Sequence, residues 1–271
     1  MYYIDIKDVL NYCYCPMYYK FKSQNNLKDK LISTNEKFDK DMHESIYNYL
    51  ELMQLGYKVD LKILNKKFIT KWLGKNKHID DILYVEPANV NDIYEHKRKK
   101  ALASLNDLNK FFLKYPFYPI AINKRYKINI TKNLVLTGTL EFIREINGMI
   151  EMISFRTDDK YNNNKVYVKK DIEITAAAYA YEKLTGKKID MITFYGLDRN
   201  KIVPTTRNEE DYKTLIKIVK NVFKCIHNNI VYPCLNSNCI SCLYNKICTE
   251  NLNYNNLTLE DGDNNDENKQ C

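Results

Sequence analysis

Asn133-Leu134-Val135-Leu136-Thr137-Gly138-Thr139-Leu140-Glu141-Phe142-Ile143-Arg144-Glu145, then Asn147-Gly148, then Met149-Ile150-Glu151-Met152-Ile153-Ser154-Phe155-Arg156-Thr157, predicts two strands joined at a tight turn. Both runs are rich in Val, Ile, Leu and Phe, and Asn-Gly between such runs is a strong hairpin signal because both residues accept positive φ. Residues 118–130 carry the same pattern on the near side of Thr131-Lys132-Asn133, so 118–157 reads as a three-stranded meander.

Helical periodicity flanks the meander. Phe38, Met42, Ile46, Tyr49, Leu50 and Met53 recur at three- and four-residue spacing over 35–55, ahead of Gly56, with His43 beside the apolar stripe. Leu61 to Leu73 and Val90 to Tyr115, stopped by Gly74 and Pro116, predict two more helices. Beyond the polar run 158–164, Ile172 to Leu184 predicts a helix capped by Gly186, Asp190 to Leu197 a strand, and Asn208 to Asn228 a long amphipathic helix. The expected class is α/β, with a core order of helix, three strands, helix, strand. One domain over 1–249 is expected, with a helical insertion at 57–116, a Cys-rich segment at 230–249 and a disordered acidic tail at 250–271.

The net charge is +8, unevenly spread: from Glu250 to Cys271 six acidic residues stand against one basic, leaving 41 basic and 28 acidic residues in 1–249. A basic body suits a polyanionic partner such as DNA, although an AT-rich codon usage would raise Lys without any such function. No apolar run approaches the ~18 residues that span a bilayer, so no membrane partner is expected. Eight Cys without a secretory-type N-terminus point to a reducing, cytoplasmic setting and away from a disulfide scaffold.

Cys239-x-x-Cys242-x5-Cys248 is a compact ligand group, since a two-residue gap lets both sulfurs of a pair face one centre. A fourth ligand must come from elsewhere. Cys15, Cys13 and Cys234 are all open on spacing, the last giving a local zinc site. Closing the long loop to Cys15 costs only a few kcal/mol of chain entropy. Cys225, within an amphipathic helix, reads as a small buried apolar residue, and Cys271 as a free thiol.

Tyr12-x-x-Cys15-Pro16-x-x-Tyr19 near the start, together with C-x2-C-x5-C near the end, resembles the iron–sulfur branch of the RecB-like PD-(D/E)XK nucleases. That branch includes CRISPR-adaptation exonucleases and the nuclease domain of AddB-type helicase partners. The resemblance implies a restriction-endonuclease-like core and a [4Fe-4S] cluster held by Cys15, Cys239, Cys242 and Cys248. It also implies Mg²⁺ or Mn²⁺ at the active site and DNA as substrate, with a protein partner in some complexes.

Residue by residue, His43 matches the family's early His and Glu141, in Gly138-Thr139-Leu140-Glu141, matches its Asp, which makes both expected metal ligands. The acid-x-Lys-Thr of the next strand falls on Ser154-Phe155-Arg156-Thr157, so a metal-binding charge is lost and Arg156 replaces Lys. Arg keeps a cation for phosphate but does not give up a proton. Glu151 lies on the opposite face from Ser154, which leaves Asp158 or Asp159 as expected replacements. The family's Gln-x-x-x-Tyr becomes Thr175-x-x-x-Tyr179, leaving Tyr179 as the retained catalytic position. Three functions follow: a degenerate metal-dependent DNA nuclease using Glu141, Arg156 and Tyr179, a non-catalytic DNA-end-binding or nuclease-partner protein, or a zinc-stabilised interaction module.

Overall fold

Asn147 and Gly148 hold φ of 51° and 76°, the paired left-handed conformation of a tight hairpin, and set β5 (Leu134–Ile146) antiparallel to β6 (Met149–Arg156). On the near side, Thr131 Oγ1 accepts from the N–H groups of Asn133 and Leu134 and turns the chain from β4 (Tyr118–Asn129) into β5. In this computed structural model the described residues are 1–24, 32–57, 60–73, 82–83, 90–114, 117–157, 165–197 and 200–249. Asp158, Asp159, Gly74, Pro116, Cys271 and the acidic tail lie outside them.

The meander is the centre of a six-stranded mixed sheet, which makes the fold α/β. β7 (Met191–Gly196) runs parallel to β6, and β8 (Lys201–Thr205) closes that edge antiparallel to β7. β1 (Tyr2–Asp5) pairs parallel with Leu134–Thr137 at the start of β5. Two strands of this sheet, β1 and β8, were not expected, nor was the separate parallel pair of β2 (Ile32–Ser33) and β3 (Ile82–Leu83). β1 is four residues with Tyr2 and Tyr3 exposed, and β8 carries Pro204, which is tolerated because the strand lies at an edge.

Helices cover both faces, with two short ones, α2 (Pro16–Tyr19) and α6 (Lys165–Lys170), between the longer ones. One core joins α1 (Ile6–Tyr14), α7 (Ile172–Thr185) and α8 (Glu209–His227) to Leu136, Leu140, Ile143, Met152 and Phe194. The other joins α3 (Thr34–Gln54), α4 (Leu61–Leu73) and α5 (Val90–Lys114) to Phe142, Ile153, Phe155 and Tyr195. The helices expected over 57–116 therefore close one whole face of the sheet. Asp171 caps α7 by accepting from Ile174 N–H, and Asn208 with Asp211 forms a capping box on α8.

The β4–β5 ladder is interrupted opposite Glu141. Lys124 pairs with Leu140 and Ile122 with Phe142, but the intervening Asn123 has φ of 46°. The pairing keeps its register across this point, but the faces exchange: Leu136, Leu140 and Tyr126 face the first core, Phe142 faces the second, and Ile143 and Ala121 face the first. Glu141 stands at the break. Gly138, three residues earlier, lets the Tyr126 ring cross the strand, for a Cβ would lie 2.4 Å from Tyr126 Oη and 2.9 Å from Ile6 Cγ2.

Gly138→Ala should therefore lower unfolding free energy by about 1–3 kcal/mol through overpacking. Combining it with Tyr126→Leu should recover part of that loss. Urea denaturation of the two variants checks this, and equal stability of Gly138→Ala and wild type would refute the close-packing account.

Candidate active site and cysteine cavity

β5 has two partners along its second edge: β1 on Leu134–Thr137 and β6 on Phe142–Ile146. Between them the edge is unpaired, and beyond Ile153 β6 leaves β5 while staying registered with β7 through Arg156. The backbone groups exposed by this fork need partners. Phe155 N–H donates to Glu141 Oε1 at 2.9 Å, and His43 Nε2 lies 3.0 Å from the Phe155 carbonyl. Two side chains singled out in the sequence thus stand in for a missing strand.

Around them the geometry is closely connected. Ser154 Oγ donates to Glu141 Oε2 at 2.7 Å, and His43 Nε2 lies 3.2 Å from Glu141 Oε1. His43 Nδ1 faces the Asp39 carbonyl at 2.7 Å, one helical turn back on α3. With acceptors at both ring nitrogens, His43 is placed as an imidazolium donating twice. Burial alone would lower it, but hydrogen bonding to Glu141 and the Asp39 and Glu141 charges hold it up at about 9. Burial likewise acts to raise Glu141, and His43, Arg156 and Ser154 outweigh it, leaving the carboxyl below its ordinary range. To ligate a metal, His43 would first have to release a proton.

Arg156 reaches the same point from β6. Its Nη1 is 3.9 Å from Glu141 Oε2, and its Nη2 is 3.6 Å from both Asp171 Oδ2 and Glu173 Oε2. These are ion-pair distances, longer than hydrogen bonds. The guanidinium also lies over the Phe194 ring, 5.4 Å from its centroid. Glu173, in the first turn of α7, keeps 38% of its side chain accessible. Burial and the Glu141 and Asp171 charges raise its carboxyl against the pull of Arg156.

Sequence reading missed Tyr47, Asp39, Asp171 and Glu173. Tyr47 follows His43 by one helical turn and lies within hydrogen-bonding reach of Glu141, a spacing that could have been noticed; burial and Glu141 push its hydroxyl well up. Glu151, set aside on strand parity, lies in the opposite core in a buried pair with Arg144 at 2.6 Å. Tyr179 packs against Tyr212 of α8, with Lys183 over its ring. At 100° per residue it is turned about 240° from Glu173, so the Thr175–Tyr179 face looks toward Arg207 and α8, as the Arg207 Nε to Thr175 Oγ1 bond of 2.6 Å confirms.

The cysteines lie at the far end of α1. Cys15, Cys234, Cys239, Cys242 and Cys248, all half-buried, line one cavity with Tyr14, Tyr18, Phe21 and Tyr244. Cys234 N–H points at Cys15 Sγ from 3.4 Å, and Cys239 Sγ lies 3.4 Å from the Cys234 carbonyl. Cys13 is exposed and lies outside this cavity, while Cys225 is buried in the core as expected. Burial, then the neighbouring cysteine charges, raises the Cys248 thiol. The two chain ends are also tied without any metal. Tyr12 Oη donates to the Ile230 carbonyl at 2.7 Å, Met17 N–H to the Tyr232 carbonyl at 3.2 Å, and the Tyr18 and Phe21 rings pack on Tyr244. Among the described residues, no three His, Cys, Asp or Glu side chains close on one point as ligands of a single ion, and no helix is long and apolar enough to cross a membrane.

No protein-family model matches the sequence, and no curated protein matches it. Among solved structures the chain is similar to the crystal structure of SSO0001, at 12% identity over 90% of this chain and 92% of that one, with a TM-score of 0.31.

The His43–Glu141 pair fixes the sign of a pH effect. A His raised from about 6.5 when unfolded to about 9 when folded contributes stability that is full below about pH 6.5 and lost as pH rises through about 9. The loss amounts to about 3 kcal/mol. Glu141, depressed in the fold, contributes stability above its ordinary range that is lost in acid. Thermal melting in chelator should fall between pH 6.5 and 9.5, and His43→Gln should flatten that fall. An unchanged alkaline limb in the variant would remove His43 as its cause.

Proposed function

We propose that this chain is a DNA-processing protein with a restriction-endonuclease-like core of the RecB-like type, a degenerate metal-dependent DNA nuclease that carries a [4Fe-4S] cluster. The observation that carries the reading is the fork between β5 and β6, where His43, Glu141 and Arg156 meet from three different elements. Glu141 presents hard oxygen donors of the kind that suit Mg²⁺ or Mn²⁺, oriented by Ser154, the Phe155 N–H, His43 and Tyr47. When bound, such an ion supplies a water of lowered pKa and charge against the phosphate. Arg156 offers a permanent cation for a phosphate oxygen, while His43 and Ser154 hold Glu141 in place. Basic residues outnumber acidic ones in 1–249, which favours a DNA partner.

Cys15, Cys239, Cys242 and Cys248 fit an iron–sulfur cluster in the chemistry of their donor set. The Cys242 and Cys248 thiols, pushed up by burial and by the neighbouring cysteines, gain from a cationic centre that takes them as thiolates. Cys234, the fifth thiol, contributes its backbone N–H to Cys15 sulfur in this reading.

One observation favours the non-catalytic reading. Arg156 places a permanent charge among Glu141, Asp171 and Glu173, where cleavage chemistry would place a metal. A protein so arranged would hold DNA ends, or a nuclease partner, without cutting. Anaerobically purified protein incubated with labelled single- and double-stranded DNA and Mn²⁺ separates the two. Metal-dependent cutting that drops at least about 100-fold in Glu141→Gln, a near-isosteric variant that keeps one oxygen acceptor for the Phe155 N–H, is the expected result. Salt-sensitive binding without cutting would establish the second reading, and absence of both would overturn the DNA assignment.

The cluster has its own check. Cys242→Ser should lose most of its iron and acid-labile sulfide, whereas Cys13→Ser should retain both. Zinc in place of iron in the anaerobic protein would refute the cluster.

A further inference from the structure

We propose that Cys234 is a redox partner for Cys15: when Cys15 is released from a metal centre, the two sulfurs join in a reversible disulfide that spares Cys15 from irreversible oxidation. The metal centre rests on the iron–sulfur reading, whereas the pairing of the two thiols rests on geometry. Five cysteines line the cavity, one more than a [4Fe-4S] cluster takes. The extra thiol, Cys234, is the one set against Cys15. Its N–H points at Cys15 Sγ from 3.4 Å, and the two thiols lie within hydrogen-bonding reach of each other. Other cysteines are placed differently. Cys239 Sγ donates to the Cys234 carbonyl at 3.4 Å, and the Cys242 sulfur accepts from the Tyr244 N–H. Cys13 is exposed outside the cavity, and Cys225 lies in the core.

Both residues are held in place by bonds that involve no metal. Cys15 stands between α1 and α2 in extended backbone, with φ of −168° and ψ of 123°. Its N–H donates to the Asn11 carbonyl and its own carbonyl accepts from Tyr19 N–H, each at 3.0 Å. The chain leading to Cys234 is pinned alongside. Tyr12 Oη holds the Ile230 carbonyl, and Met17 N–H donates to the Tyr232 carbonyl two residues before Cys234. These contacts reach Cys234 from both sides of Cys15 in the sequence, so the two sulfurs stay neighbours after Cys15 lets go of a ligand.

Hydrogen peroxide is the oxidant of the proposed step. One thiol takes an oxygen atom from it to become a sulfenic acid, and the peroxide leaves as water. The second thiol then attacks that sulfur, the S–S bond forms, and the hydroxyl departs as a second water. Two thiols have lost two hydrogens and two electrons, and one peroxide has become two waters. A dithiol reductant reverses the product by exchange. A sulfenic acid with no thiol beside it instead proceeds to the sulfinic and sulfonic acids, from which a ligand thiol is not regained. Cys234 stands where it intercepts that second course.

In the test, the full chain is stripped of metal with ferricyanide and chelator, reduced, and treated with a small excess of hydrogen peroxide. It is then alkylated and digested with chymotrypsin, whose cuts after Tyr14 and Leu235 separate Cys15 from Cys13 and Cys234 from Cys239. Mass spectrometry should find Cys15 linked to Cys234, with dithiothreitol restoring both thiols. In Cys234→Ser the same treatment should carry Cys15 to sulfinic and sulfonic acid, and reloading with iron and sulfide after reduction should fall by about twofold or more relative to wild type. Purified anaerobically and never exposed to peroxide, Cys234→Ser should hold as much iron as wild type. No linkage, linkage of Cys15 to Cys239, Cys242 or Cys248, or equal survival of the Cys15 thiol in Cys234→Ser would overturn the pairing. Iron loss from untreated Cys234→Ser would make Cys234 a ligand and overturn it as well. Anaerobic wild type without iron would refute the cluster, whereas the linkage is read from the mass spectrum and stands or falls there.

Discussion

The separation of β5 from β6 after Phe142 and Ile153 is the constraint around which the rest of the molecule is arranged. A strand that leaves its neighbour exposes backbone groups, and each such group left unpaired in a buried place costs about 1–3 kcal/mol. Here the exposed N–H and C=O of Phe155 are met by Glu141 and His43. Neither residue is available for this unless its own element is fixed, β5 by the turn at Asn147-Gly148 and α3 by its packing on α4 and the sheet. The fork and its two side chains therefore stabilise each other.

The same gap is where the two helical layers come together. Elsewhere the sheet keeps α3, α4 and α5 apart from α1, α7 and α8. At the fork, α3 contributes His43 and Tyr47 from one side, and α7 contributes Asp171 and Glu173 from the other, with Arg156 and Glu141 between. Interior charge is expensive unless paired, and the strand ends give these carboxylates a cation at a fixed position. The irregularity at Asn123 belongs to this arrangement: a regular ladder would keep Leu140 and Phe142 facing the same core, whereas the break turns them to opposite ones.

The meander, the long helices and the Cys-rich end were legible because each rests on local signals: period, caps and an Asn-Gly turn. His43, Glu141, Ser154 and Arg156 were legible as a pattern, and the structure brings all four to one point. Tyr179 packs on Tyr212 and under Lys183, an orientation set by rotation, since a motif match does not fix which face of α7 meets the sheet. Glu173 was missed for the same reason, being an ordinary acidic residue of a first helical turn until β6 and α7 are placed together. β1 escaped notice because its pairing partner is 132 positions away and its four residues show too little alternation to register. Only contacts between distant segments carry such information.

Those distant contacts also connect the two ends of the molecule to its centre. β1 pairs with the segment of β5 just before Gly138, and Asp5 accepts from Thr137 Oγ1 at 2.9 Å while capping α1. α1 then runs to Cys15, whose cavity is closed by residues 233–249. A rigid path of one strand and one helix thus leads from the cysteine cavity to the edge of the fork. A cluster bound as proposed would hold α1 by the residue that caps its end, and through β1 would limit how far the unpaired stretch of β5 can open. The aromatic contacts of Tyr12, Tyr18 and Phe21 supply part of that restraint on their own. The metal's role would then be to stiffen a connection that packing already makes, placing its effect on the width of the site instead of on the chemistry within it.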